Sequence, residues 1–70
     1  MITKITVTLR HKGMSVSALS QKIKVHYSLL CSIARGEYKP KQEIREAICE
    51  TLGVAEDTLF NEYGFAKEAE

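Results

Sequence analysis

Five cations, Lys22, Lys24, Arg35, Lys39 and Lys41, bracket a short stretch, 26–32, that carries His26, Tyr27, Ser28 and Ser32. Ammonium and guanidinium groups neutralise phosphate oxygens, whereas hydroxyls and a phenol make directional hydrogen bonds that discriminate only modestly. Cations at the flanks with neutral donors and acceptors between them suit a polyanion held at two edges and touched in the middle. Glu37 is the one acid in this set and is placed to cap or orient Arg35.

Other chemistry is poorly served by the residues present. His11, His26, Cys31 and Cys49 show no recurrent zinc spacing, so no metal site is expected, and no cofactor or small-molecule ligand is evident. The two cysteines are far from a CxxC arrangement and read as reduced thiols acting as small apolar residues. Catalysis would require a base and a nucleophile converging in a pocket. Neither histidine has an adjacent acid, and the carboxylates gather elsewhere, so the chain does not read as an enzyme.

The formal net charge of +1 conceals a division. Up to Gln42, eight basic residues stand against Glu37 alone, a balance of +7. From Glu43 onward, Arg45 and Lys67 stand against eight acids, a balance of −6. Opposed halves in so small a chain make a strong dipole, and the basic half is the one that holds the cations above. Seventy residues are one domain, able to bury roughly 60% of the unfolded surface. Apolar runs are too short to span a membrane or form a signal peptide, so the protein is expected to stay in the cytoplasm.

Helices must position these groups. Leu19 and Ile23 lie four apart and Leu30 and Ile33 three apart, each about one turn, while the step from Ile23 to Val25 breaks the period. Residues 16–35 therefore read as two short helices joined by a tight turn at Lys24 and Val25, with Ser20 small enough for a close crossing. Ser15 is a good N-cap for Val16 to Ile23. His26 opens the following helix, which reaches about Arg35 and stops at Gly36. The first-turn N–H groups at Val16 and Ser17 can face an anion.

In residues 1–12, Ile2, Ile5 and Leu9 recur at three and four, and Gly13 supplies a stop, which predicts a helix despite strand-leaning Thr and Val. A lone strand here would lack a partner. Pro40 suits the first turn of a helix in which Ile44, Ala47, Ile48 and Leu52 mark one face and Gly53 the end. Val54 reads as a buried connector. Glu56 and Asp57 favour a last helix start, with Leu59 and Phe60 facing inward. The expected architecture is all-α, a compact bundle of about five short helices over residues 1–62. Residues 63–70 are expected to form a tail whose final AKEAE frays.

GMS at 13–15, ALSQKIKV at 18–25, ARGEYKP at 34–40 and LGVAEDTLF at 52–60 together resemble the helix-turn-helix domain of the phage Cro and repressor family, the lambda-repressor-like or xenobiotic-response-element type. The resemblance covers about Ile5 to Phe60. It implies a five-helix bundle whose third helix enters the major groove of double-stranded DNA, a prokaryotic or phage regulator of transcription, and a homodimer on neighbouring grooves. It also implies that His26, Tyr27, Ser28 and Ser32 face base edges and nearby phosphates. Val16, Ser17, Lys22, Lys24, Arg35, Lys39 and Lys41 then grip the backbone.

Three positions depart from the family pattern. Lys24 stands where Gly is common, at a cost on the order of 1 kcal/mol if φ is positive. Val16 replaces a Gln whose side chain would hold a phosphate, and His26 replaces Ser or Thr. No Arg, Gln or Asn occupies the middle of the third helix, so the strongest bidentate base contacts are missing. The competing expectation is a protein-interaction module that keeps the fold without reading DNA. Phe60, Tyr63 and Phe65, away from the basic residues, are the groups expected to form or border a weak dimer interface.

Overall fold

The computed structural model describes residues 2–69; Met1 and Glu70, the ends of the expected first helical stretch and of the tail, lie outside the described residues. The described residues form an all-α bundle of five helices: α1 (Lys4–His11), α2 (Val16–Ile23), α3 (Tyr27–Ala34), α4 (Gln42–Leu52) and α5 (Glu56–Leu59). Each boundary has a local cause. The Thr3 hydroxyl accepts from the Thr6 N–H at the start of α1, and Ser15 Oγ accepts from the Ala18 N–H at 3.0 Å at the start of α2. Lys24 ends α2 in the left-handed region, with φ 58° and ψ 44°, and Gly53 ends α4 at φ 71°.

The apolar face of every helix meets the others. Ile5, Leu9, Leu19, Leu30, Ile33, Ile48, Leu52, Leu59 and Phe60 form the core. Helix α2 packs on both α3 and α4, and α5 bridges α4 and α1. Ser20 is buried at the centre of this packing, its hydroxyl donating to the Ser17 carbonyl at 2.7 Å. A bulkier residue there would push the neighbouring helices apart.

Some details depart from the expectations. His26 is the N-cap of α3, not its first helical residue, and its side chain makes no capping bond. Pro40 lies before α4, whose N-cap is Lys41, and is fully buried: its ring fills space below the helix start and its carbonyl accepts from Arg45 Nη1 at 2.6 Å. Ile23 and Val54 are half-buried at the rim of the core.

The largest difference is the tail. Residues 61–69 do not fray within the described chain. Residues 61–65 turn back, and 66–69 run antiparallel between residues 2–4 and 59–61, with isolated bridges Thr3↔Glu68 and Phe60↔Ala66. The Lys4 N–H donates to the Lys67 carbonyl at 2.8 Å, Ala69 N–H to Ile2 at 2.9 Å, and Lys67 N–H to Leu59 at 2.8 Å. The extended residues before α1, which the sequence left without a partner, find one here. Phe60 is 3% exposed and belongs to the monomer core, in line with its expected inward facing, so it cannot serve the dimer surface that was the other expectation for it.

Candidate nucleic-acid interface

Helix α3 buries Leu30, Ile33 and Ala34 and turns its other side outward. Tyr27 is 54% exposed, and His26 and Ser28 beside it are exposed as well. Ser32 follows Ser28 at one turn and is half-buried, as are Leu29 and Cys31. The exposed end of α3 is thus its N-terminal turn, and Ser32 is the most recessed of the four residues named from the sequence. Cys31, one turn further along the helix, holds the Tyr27 phenol above its ordinary pKa, with Arg35 pulling the other way. At neutral pH Tyr27 is an uncharged hydroxyl donor and acceptor.

The cations lie before and after this helix in the chain. Lys22 lies in the last turn of α2 and Lys24 in the turn that follows; both are exposed. The left-handed conformation of Lys24 lets α2 stop and α3 begin after only Val25 and His26, with the Val25 N–H donating to the Ser20 carbonyl at 3.1 Å. Lys39 and Lys41 are exposed on the loop after α3. Arg35 Nε meets Glu37 Oε1 at 3.2 Å, but both side chains are more than half exposed (59% and 63%). Such a pair contributes little in water, so the guanidinium can exchange Glu37 for a stronger anion. Ser17 is exposed at the start of α2, whereas the Val16 side chain packs at the rim of the core, leaving only its main chain for an outside partner.

Sequence reasoning passed over three exposed groups. Arg10 and Lys12 close α1 just ahead of the start of α2; their signal was already present in the basic count of this half. Tyr38, 45% exposed between Glu37 and Lys39, carried no periodic signal because it sits on a loop. Elsewhere, burial pushes the Cys49 thiol up, helped by the Glu56 charge and opposed by Arg45. Among the described residues, no group of three or more His, Cys, Asp or Glu could hold a metal ion, and no helix is long and apolar enough to cross a membrane. No protein-family model, curated protein or solved structure matches the chain.

Proposed function

We propose that this chain binds double-stranded DNA sequence-specifically, as a small prokaryotic or phage regulator of the kind its motifs resemble. The observation that carries the reading is the exposed N-terminal turn of α3, with Tyr27 and Ser28 open to solvent, in a helix preceded in the chain by the exposed Lys22 and Lys24 and followed by the exposed Lys39 and Lys41. Cations at the flanks supply sequence-independent, salt-sensitive affinity. The hydroxyls and ring supply whatever preference exists for particular base pairs. Acting on DNA, the protein would work at the nucleoid in the cytoplasm.

One turn of one helix covers few base pairs, so we propose a homodimer that reads two half-sites about 34 Å apart. Phe60 lies inside the monomer and is not available to such an interface, whereas Tyr63 is exposed. A second reading, a protein-interaction module, is favoured by one observation: α3, YSLLCSIA, has no Arg, Gln or Asn to make a bidentate base contact. Selection of bound duplexes from a random pool separates the two. A recovered consensus with two-fold symmetry supports DNA reading by a dimer. Recovery of no preferred sequence sinks it in favour of the module, and sedimentation of one copy per selected duplex sinks the dimer.

A further inference from the structure

The loop between α5 and the tail is held in one shape from several sides. Asn61 Oδ1 accepts from the Tyr63 N–H at 2.9 Å and the Phe65 N–H at 3.0 Å. The Asn61 N–H donates to the Phe65 carbonyl at 2.8 Å, and the Gly64 N–H to the Asn61 carbonyl at 3.0 Å. Gly64, at φ 90°, is buried against the side chains of Lys39, on the loop after α3, and Arg45, in α4. A Cβ added there would stand 3.0 Å from Lys39 Cε and 3.1 Å from Arg45 Nη1. The loop therefore sits directly on the stem of Lys39, 25 positions earlier in the chain by residue number. Its tip carries Tyr63, 66% exposed and the most exposed large apolar side chain described.

Lys39, Arg45, Glu56, Asn61, Glu62, Tyr63 and Gly64 border one hollow of about 140 Å³. Arg45 is already engaged, by the Pro40 carbonyl at 2.6 Å and Glu56 at 3.7 Å. Lys39 and Tyr63, both exposed, bring an ammonium-bearing and a hydroxyl-bearing side chain to this rim, beside the Asn61 side-chain amide. An ordered loop carrying an exposed ring loses little conformational entropy when that ring makes a contact. Resting on the DNA-binding reading above, we propose that Tyr63 and Lys39 together form a phosphate clamp. The clamp extends the backbone contact from the loop after α3 to the loop after α5. Lys39 supplies the charge, Tyr63 donates its hydroxyl to a non-bridging phosphate oxygen, and Gly64 positions the loop. Glu62, exposed on the same rim, opposes the contact by repulsion.

Charge separates the two partners experimentally. Counterion release follows the number of cations placed on phosphates, so a neutral hydroxyl adds affinity without adding to the salt slope. Filter binding across several salt concentrations, on a selected and a scrambled duplex, gives the test. Lys39→Ala should weaken both duplexes and lower the salt slope by about one unit. Tyr63→Phe should weaken both by about three- to tenfold, the loss expected for one hydrogen bond, and leave the slope unchanged. Glu62→Gln should tighten both. Because Tyr63 is largely exposed, Tyr63→Phe should also leave the melting temperature unchanged, separating a contact from a structural role. If the wild type binds DNA and Tyr63→Phe binds as well as it does, the clamp is wrong while the DNA reading stands. If the wild type binds no duplex, both fall.

Discussion

The fully buried Thr3 donates its hydroxyl to the main-chain carbonyl of Ala34, the last residue of α3, across 31 positions of sequence. The same oxygen caps α1 by accepting from the Thr6 N–H, and the Thr3 main chain bridges to Glu68 of the tail. One residue thus ties the first helix, the end of the exposed helix and the C-terminal segment together.

Thr3→Val keeps the shape and removes the hydroxyl. It leaves the Ala34 carbonyl without its partner and α1 without its cap, so unfolding free energy should fall by about 1–3 kcal/mol. Urea denaturation would measure this, and a variant as stable as the wild type would show that the bond contributes nothing net.

Lys24 is the one non-glycine residue described at positive φ. Lys24→Gly relieves that conformation and should raise stability by about 1 kcal/mol. The same change removes a cation next to α3 in the chain, so on the proposed DNA-binding function the affinity for duplexes should fall even as the melting temperature rises. A variant that loses stability would mean that the lysine stem contributes packing that outweighs the backbone strain.

Two classes of substitution should separate on DNA. Lys41→Ala should weaken every duplex alike and reduce the salt slope by about one. Tyr27→Ala and Ser28→Ala should cut affinity for the selected site by about 1–3 kcal/mol and leave scrambled duplexes nearly unaffected. Equal losses on both duplexes would remove Tyr27 and Ser28 from base reading and assign them to the backbone.

Burial holds the Cys49 thiol above its ordinary pKa. A raised folded-state pKa means that the unfolded chain loses this proton first. Its contribution to stability is whole below the ordinary thiol range and is lost as pH rises through and beyond it. Cys49→Ala should therefore flatten the alkaline decline in melting temperature. Under native conditions a thiol reagent should modify the half-exposed Cys31 well before the buried Cys49; equal rates would contradict the packing of α4.

Much of the bundle was legible because its causes are local. Ile44, Ile48 and Leu52 share a face of α4 by helical period alone, Ser15 caps whatever helix follows it, and Gly53 can take a conformation most residues avoid. The basic and acidic halves were countable along the chain, and the exposure of Lys22, Lys24, Lys39 and Lys41 agrees with the ordinary cost of burying charge. Tertiary structure alone decided the rest, because the deciding contacts join residues far apart. Its place beside Leu59 at the end of a short helix suggested that Phe60 faces inward, but the choice between core and interface was made by the bundle and the tail closing around it. Single bridges such as Thr3 to Glu68 create no alternation to detect, so a paired tail reads like a loose one. Lys39 and Tyr63 border one hollow only because Gly64 lets one loop settle on the stem of another, and no spacing along the chain encodes that meeting.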